Sequence, residues 1–557
     1  MKTFLLGICL VAGFLSDLPA QSRNIGTQPL GGDPEMLKKP ADKTDDTARY
    51  NKALRIFDKL VEARGDFRLP VPKLVMLKGR KDGNAAFMNY QLHEVQLEEF
   101  AYNAAAEYGD AGLAFLLAHE LTHYYEKHGW RSSFAQEYGD LKIGMKLQKL
   151  TDKVANETEA DYLGGFLAYS AGFGLFDQAP QMIEKVYKTY GWGAGESEKY
   201  PSMTDRQTML LRTKQKLERL VEVFEMANLL TVIGRYGEAY QYYQYVALRY
   251  QSREIYNNLG VTKVLEAMEE FEENELVFRY PVQLDLNLSG TKGAGAGSAR
   301  EAMLRQALLQ FDAAISLDPN YAPAYLNKAC AYALLGDYTR ARFYAAEEAR
   351  TLALKNKQFA KTAVDADVLI GIIEAKSGNT AAAKKIFETA AKTGNSALAD
   401  INLKILNEAP LPAAPKEKTS LKPETIDGLK MLAISHPADN DLCPKALDSI
   451  KVELNDNLVF HQNPEPGPHS RVYISINNLS QNNPITIFHL TNPGNTGKTA
   501  KSIGLGDARD AIVKAYGEAP RTIETPLGQI MVYKAIIFIL QDNKLVRWIN
   551  YTTRSSC

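Results

Sequence analysis

The stretch Leu116–Glu126, LLAHELTHYYE, contains two histidines in the order H-E-x-x-H. On a helix, His119 and His123 lie one turn apart on the same face, with Cβ atoms about 5–6 Å from each other. This spacing is typical of zinc ligands. Because the chain has only eight histidines in 557 residues, the motif is expected by chance only about 0.01 times per chain.

The residues around this motif are apolar. From Leu113 to Tyr125, the only acidic, basic or imidazole side chains are His119, Glu120 and His123. Such a helix is suited to a core, whereas a surface helix would carry more charge. In a core without an ion, Glu120 would be an uncompensated buried charge. The sequence therefore predicts a buried metal-binding helix.

A catalytic tetrahedral zinc needs a third protein ligand and one open position. The pattern H-E-x-x-H-x-x-G-x-x-H is excluded, because Glu126 and Gly129 stand where it requires glycine and histidine. We predict Glu157, in the sequence NETEAD that opens a second apolar helix, as the third ligand, and Glu159 as the alternative. Asp161, one turn beyond Glu157, is predicted to accept the ring N–H of a ligand histidine.

The motifs H-E-L-T-H and E-T-E-A-D resemble those of the zinc metallopeptidase family of HtpX and the CAAX prenyl proteases, H-E-x-x-H and E-x-x-A-D. The soluble, periplasmic members that carry tetratricopeptide repeats (TPR) are the most similar. The resemblance covers roughly residues 45 to 215 and implies a zincin-like α+β domain of the gluzincin type. The family's downstream element H-P-x-x-x-x-R keeps Pro201 and Arg206 here but has Tyr200 in place of histidine.

The predicted mechanism is metal-assisted hydrolysis of a peptide bond. One Zn²⁺ per chain, held by His119, His123 and Glu157, would lower the pKa of a water molecule and polarise the scissile carbonyl. Glu120 would take the proton of the water and deliver it to the leaving amine. Tyr200 and Arg206 are candidates for stabilising the oxyanion. The alternatives are packing for Tyr200 and an ion pair for Arg206.

The substrate is expected to bind as an extended strand. By resemblance, an edge strand above the metal helix receives the peptide by β-addition. We expect such an edge strand near residues 93–97, and the family's own edge-strand sequence has only a weak counterpart in residues 84–87, NAAF.

The first twenty residues predict an exported protein. Lys2, an apolar run and Leu18-Pro19-Ala20 form a signal peptide, residues 1–20. No other stretch reaches eighteen apolar residues, so no transmembrane segment is expected after cleavage. The formal net charge of −1 offers no attraction for nucleic acid or anionic lipid. We therefore expect secretion across the inner membrane, to the periplasm or the outer-membrane periphery.

Composition divides the remaining chain into a multidomain, mainly α protein. A disordered leader is predicted for residues 21–44, a zinc metallopeptidase domain for 45–223 and TPR-like helical repeats for 224–408. The repeats are interrupted by an insertion at 278–298, in which residues 278–288 alternate like a strand. The clearest repeat unit is residues 314–341, with Gly336 at its turn. A linker at 409–425 leads to a C-terminal α+β module, 426–557.

The C-terminal module resembles, weakly, the small α/β modules of outer-membrane assembly proteins, and we interpret it as a binding module or lid. Its strands are predicted to be joined at Asp542-Asn543. Cys443 and Cys557 are candidates for a disulfide in an oxidising compartment. Cys330, in the repeat unit, is predicted to be a buried free thiol.

Together these features predict an exported zinc endopeptidase for cell-envelope protein quality control. Its substrates would be unfolded or extended polypeptides, and the repeats would bind the substrate or an envelope partner. The alternative is a non-proteolytic TPR chaperone or adaptor on an inactive or self-plugged zincin scaffold. No nucleic-acid partner is predicted.

Overall fold

The structure is a computed structural model of the whole chain. It describes residues 28–29, 42–79, 84–129, 131, 140, 142, 145, 153–192, 203–272, 274–282, 297–411, 418, 424–426, 429–430, 450–455, 458–463, 469–477, 485–525 and 528–554. The described part is mostly helical, with one large sheet near the C-terminus. Within these residues, no helix is long and apolar enough to cross a membrane.

A small sheet and a bundle of helices form the N-terminal part. Helix α1 (Thr47–Arg64) is followed by strands β2 (Lys73–Leu77), β3 (Ala86–Asn89) and β4 (Glu94–Glu98). Strand β1 (Gln28–Pro29) completes the sheet in the order β1-β3-β4-β2. Helices α2 (Glu99–Ala106), α3 (Gly109–Tyr125), α4 (Lys153–Ala168), α5 (Ala179–Tyr190) and α6 (Met203–Val232) come next.

The expected edge strand near residues 93–97 is not an edge. Strand β4 pairs with β2 on one side, in parallel, and with β3 on the other, antiparallel. Its buried Val95 and Leu97 hold it inside the sheet. Strand β3, which contains part of the weak NAAF match, is the strand that packs against helix α3.

The leader predicted to be disordered has two ordered contacts. Gln28–Pro29 pairs antiparallel with β3, opposite Met88 and Phe87. Lys43 forms a β-bridge with Leu77. Backbone hydrogen bonds with the sheet therefore order these two short stretches, which the polar, Gly- and Pro-rich composition does not indicate.

Helix pairs follow the first domain. They are α7 (Tyr236–Ala247), α8 (Arg253–Glu269), α9 (Gly297–Leu317), α10 (Ala322–Leu334), α11 (Tyr338–Phe343), α12 (Thr351–Lys355), α13 (Ala360–Lys376), α14 (Thr380–Thr393) and α15 (Ala397–Leu406). Three of the turns between helices contain a glycine with φ near +80°, at Gly234, Gly336 and Gly378. Only glycine adopts this conformation without a steric cost, so glycine in the sequence predicts the positions of these turns.

The strand predicted for residues 278–288 does not form in the part of it that is described. Residues 278–282 belong to no helix or sheet, and 283–288 lie outside the described residues. Helix α9 already begins at Gly297, inside the predicted insertion. The backbone N–H and carbonyl of Arg279 in this segment pair with the side chain of Asn402 on helix α15 and not with another strand. A sequence pattern of alternating residues cannot predict such a partner.

Strands β5 (Thr425–Ile426) and β6 (Leu429–Lys430) pair with each other, and the C-terminal region beyond them contains an eight-stranded antiparallel sheet. Its order is β11-β12-β13-β14-β10-β9-β8-β7, and the strands are β7 (Ile450–Asn455), β8 (Leu458–Asn463), β9 (Ser470–Asn477), β10 (Ile485–Thr491), β11 (Arg521–Thr525), β12 (Gly528–Val532), β13 (Ile536–Gln541) and β14 (Lys544–Arg554). Helix α16 (Arg509–Tyr516) packs against it. The predicted turn is confirmed, because Asp542 and Asn543 both have positive φ between β13 and β14.

This sheet is docked on helices α6 and α7. Glu225 of α6 accepts hydrogen bonds from the hydroxyls of Tyr473 (2.7 Å) and Tyr169 (3.1 Å). Tyr242 of α7 donates to Ser475 at 2.8 Å. Apolar residues of the sheet also join the same core cluster as helices α3 and α6. The C-terminal module is therefore packed against the first domain and the first repeat helices.

Candidate metal centre

Helix α3 carries the H-E-x-x-H motif into the core. The motif side chains are almost fully buried, with exposed fractions of 2% for His119, 0% for Glu120 and 2% for His123. Apolar residues on all sides of this helix make burial favourable, since the rest of its surface gains by leaving water. The sequence prediction of a buried helix is confirmed.

Helix α4 crosses α3 at very close range because of Gly164. A methyl group on Gly164 would lie 2.9 Å from the backbone nitrogen of His119. Glu157 and Asp161 lie seven and three residues before Gly164, so all three share one face of α4. The close crossing therefore brings both carboxylates to the histidines of α3.

Three side chains form a site that can hold a metal ion: His119, His123 and Glu157. The Nε2 atoms of the two histidines are 3.1 Å apart, and the Glu157 oxygens lie 3.4 Å from His119 Nε2 and 3.5 Å from His123 Nε2. Two ligand atoms bound to one tetrahedral zinc at about 2.1 Å are about 3.4 Å apart. The two Glu157 distances involve different carboxylate oxygens, Oε2 and Oε1, and all three separations are close to those expected around one ion.

The other ring nitrogens of the two histidines have partners that define their protonation. His119 Nδ1 lies 2.9 Å from Asp161 Oδ1, and a carboxylate can only accept, so this nitrogen carries the proton. His123 Nδ1 lies 2.7 Å from His128 Nδ1, and His128 Nε2 lies 3.2 Å from Glu159 Oε2. If His128 donates to Glu159, its Nδ1 is the acceptor for His123. Both ligand histidines then present a bare Nε2 to the ion.

Arg206 anchors the carboxylates and not a substrate. Its guanidinium is 1% exposed and forms a bidentate pair with Asp161, at 2.6 and 2.9 Å, and lies 3.7 Å from Glu157. This is the ion-pair alternative considered for Arg206, so its geometry does not support the predicted oxyanion role. Although burial opposes charge, Asp161 and Glu157 raise the pKa of Arg206 above its usual value.

The charges buried at the site leave room for a divalent cation. Glu120, Glu157 and Asp161 are at most 8% exposed, and Arg206 is the one cation among these four groups. With both histidines neutral and all three carboxylates ionised, as metal binding requires, these groups would carry a net charge of −2. A divalent metal ion would compensate this charge. Without an ion, protons take its place: burial raises the pKa of Glu120 to about 8, and, against the effect of burial, Asp161 and Glu157 raise the pKa of His119 to about 10.

No side-chain hydrogen bond among the described residues compensates the burial of Glu120, and the backbone of Met88 lies beside it. Neither of its oxygens has a hydrogen bond of ordinary geometry among the described residues. Burial raises the pKa of its carboxyl to about 8, and the negative charge of Glu157 adds to the effect while His119 opposes it. An unsatisfied buried carboxylate beside a metal-binding triad is suited to proton transfer, since a substrate or water can supply the missing partner.

The structure brings together six of the predicted site residues: His119, Glu120, His123, Glu157, Asp161 and Arg206. Of the two candidate third ligands, Glu157 faces the histidines, whereas Glu159 pairs with His128 and with Arg131 at 3.0 Å. Tyr200, Cys443 and Cys557 lie outside the described residues. Cys330 is a buried free thiol, as predicted.

Sequence reasoning missed two residues of the site, His128 and Tyr90. Lys127 adopts φ 56° and turns the chain directly after helix α3, so His128 folds back on His123. The Tyr90 hydroxyl donates to the His123 carbonyl at 2.8 Å and accepts from the Gly129 N–H at 3.0 Å, which holds this turn. A histidine five residues after the motif was the available signal for His128, whereas Tyr90 reaches the site only through the sheet.

Comparison with known proteins identifies one segment. Residues 311–343 match the tetratricopeptide repeat family, and this match overlaps the predicted repeat unit at 314–341. None of the curated proteins matches the chain significantly. The matched segment spans the end of α9, all of α10 and helix α11. A tetratricopeptide repeat is therefore present in this chain, and it indicates a protein-binding role for the helical array.

Proposed function

We propose that this protein is an exported zinc-dependent endopeptidase, of the kind that the HtpX and CAAX prenyl protease resemblance implies. The observation that carries the proposal is the buried group of His119, His123 and Glu157 at tetrahedral ligand separations, with Glu120, which lacks a side-chain hydrogen bond among the described residues, beside it. A zinc ion in this site would supply electrophilic polarisation of a peptide carbonyl and acidify water.

The residues of the chain have distinct parts in the proposed reaction. Glu120 accepts a proton from the attacking water, whose oxygen bonds to the carbonyl carbon. The same proton then passes from Glu120 to the nitrogen of the breaking C–N bond, and an amine leaves. Asp161 and His128 keep the ring orientation of His119 and His123 through the Nδ1 contacts, and Arg206 holds Asp161 and Glu157 in place.

The proposed substrate is an extended or unfolded polypeptide. Strand β3 packs on helix α3, and its Met88 backbone faces Glu120. Gln28–Pro29 pairs with β3 opposite Met88 and Phe87, so an extended peptide would bind along β3 by replacing this short strand, and it would then pass the carboxylate that transfers the proton. The helical repeats would bind the substrate or a cell-envelope partner, and the periplasm is the compartment that the signal sequence favours.

The alternative function is that of a non-proteolytic adaptor or chaperone. It is favoured by the match of residues 311–343 to a repeat that binds proteins. In that case the metal site would be structural or plugged, and the repeats alone would act. The two functions predict different effects of replacing Glu120 on proteolysis.

A comparison of Glu120→Gln with the wild type tests the proposal. The substitution keeps the shape of the side chain but removes its capacity to accept the proton, so cleavage of unfolded casein should fall at least about 10²-fold. Zinc content and the melting temperature should be retained. Glu126→Gln, on the same helix but paired with Arg64, is the matched control and should cleave casein like the wild type.

Two results would contradict the proposal. If zinc-loaded wild type and Glu120→Gln both fail to cleave casein and a panel of unfolded envelope proteins, the adaptor function is the better one. If Glu120→Gln cleaves like the wild type, the proton is moved by another group.

A further inference from the structure

The segment that follows helix α8 crosses the helical repeats outside any helix or strand. Leu276 and Phe278 are buried, whereas Val277 between them is 43% exposed. Leu276 and Phe278, two positions apart, therefore face the repeats, although residues 274–282 belong to no sheet. We call residues 276–282 the strap.

One side chain of helix α15 takes the place of a neighbouring strand. The Arg279 N–H donates to Oδ1 of Asn402 at 2.8 Å, and Nδ2 of Asn402 donates to the Arg279 carbonyl at 2.9 Å. Asn402 is fully buried. Both hydrogen bonds involve only the backbone of Arg279, so other residue types could occupy this position without loss of the contact.

Two apolar pockets flank the Asn402 contact. Phe278 packs against Phe387 with ring centroids 6.3 Å apart, in a cluster with Val368 and Ile372. Tyr280 packs against this cluster and against the one that contains Cys330. The surface therefore recognises two large side chains at positions i and i+2, with a backbone contact between them.

Backbone pairing combined with pockets for alternate side chains is a general way of binding extended peptides. We propose that helices α10, α13, α14 and α15 form a groove for an extended segment of a partner protein with aromatic residues at alternate positions, and that the strap occupies this groove. The residues that carry this inference are separate from the metal centre, so it does not depend on the proposed catalysis. It gives the repeats a defined binding site and a partner sequence pattern.

Occupation by the strap makes partner binding competitive. A tethered segment has an effective concentration on the order of 1 mM when its linker is short and flexible. If a free peptide and the strap each bind the empty groove with Kd about 10 µM, the strap weakens peptide binding about 100-fold. A partner must therefore bind tightly or present several such segments.

Binding of a fluorescent peptide with the sequence of residues 275–282, ELVFRYPV, tests this inference. The full-length protein is prepared as wild type and as a strap variant with Phe278→Ser and Tyr280→Ser. Fluorescence anisotropy should show binding to the strap variant at least 10-fold tighter than to the wild type. A peptide with serine at both aromatic positions should bind neither protein.

Asn402 is tested in the strap variant. Asn402→Leu keeps a similar volume but removes both backbone contacts, so peptide affinity should fall at least 10-fold. Asn407→Leu, at the exposed end of the same helix, is the matched control and should have no effect. Equal peptide binding by the two asparagine variants would overturn the inference, as would an absence of binding to a folded strap variant.

Hydrogen exchange of the wild type gives a second measurement that needs no substitution. The Arg279 amide should be protected from exchange in the free protein. An excess of the ELVFRYPV peptide should increase the exchange rate of this amide, whereas the amides of α10 should stay protected. If saturating peptide leaves the exchange of Arg279 unchanged and the strap variant does not fold, the strap is a permanent part of the fold and the inference is wrong.

Discussion

Gly164 sets the distance between the two helices that carry the proposed metal ligands. A methyl group at this position would lie 2.9 Å from the His119 nitrogen and 3.0 Å from the Ala118 carbonyl carbon. Nonbonded contacts of this kind are comfortable at about 3.5–4.0 Å. Because both contacted atoms belong to the backbone, neither can rotate away. Gly164→Ala should therefore move α4 away from α3 by about 0.5 Å or more.

This movement acts directly on the ligand set. Glu157 lies two turns before Gly164 on the same face, and His119 is the residue that the new methyl group meets. The Glu157–histidine separations of 3.4 and 3.5 Å would increase to about 4 Å, which exceeds the about 3.4 Å expected around a tetrahedral zinc. Since even the partners that only orient ligands contribute 10–100-fold to metal affinity, we expect a loss of at least about 10-fold, or about 1.4 kcal/mol.

Gly165→Ala provides the matched control. Its methyl group would meet only the terminal methyl of Leu217, a flexible side chain that can move. Both substitutions gain the same helix propensity, about 0.5–1 kcal/mol over glycine. Zinc affinity is measured by competition with a chelator, and the stability of the metal-free proteins by urea unfolding. Equal zinc affinities for the two alanine variants would refute the reasoning that the close crossing positions the site.

Three further predictions concern other groups. Glu157→Gln should lose bound zinc, whereas Glu159→Gln should retain about one ion per chain; elemental analysis after dialysis distinguishes them, and an inverse result would exchange their roles. His128→Phe should weaken zinc binding about 10–100-fold, because it removes the hydrogen-bond acceptor of His123. Competition with a chelator measures the zinc affinity, and an unchanged affinity would contradict this role of His128. Burial, with two neighbouring glutamates, raises the pKa of Glu269 to about 7, so the folded state holds this proton more tightly than the unfolded state. The free energy of unfolding should therefore decrease as the pH rises from about 4.5 through 7, and urea unfolding at several pH values should show a smaller decrease for Glu269→Gln.

The C-terminal sheet is connected to the proposed metal centre, so variants are best studied in the full-length chain. Glu225 of α6 joins Tyr169, which follows helix α4, to Tyr473 of the sheet. Arg206 belongs to the same helix as Glu225 and holds Asp161. The sheet is thus connected to the proposed metal centre through one helix, so the full chain is the appropriate protein for metal and activity measurements.

Features that depend on neighbours along the chain can be predicted from the sequence alone. The spacing of His119 and His123 places them on one helical face, and the apolar flanks bury that face. Glycine and the Asp542-Asn543 pair identify turns, because few residues adopt positive φ. The repeat unit around Gly336 is recognisable for the same reason, and a family comparison confirms it.

Contacts between distant parts of the chain depend on the tertiary fold and could not be established from the sequence. The fold placed Glu157, and not Glu159, opposite the histidines, and it put Arg206 in an ion pair. His119 and Asp161 are 42 positions apart, and Arg279 and Asn402 are 123 apart. Periodicity indicates which face of a helix is buried, but not which other face it meets. That choice depends on how closely two backbones can approach, as at Gly164, and such packing is a property of the folded chain as a whole.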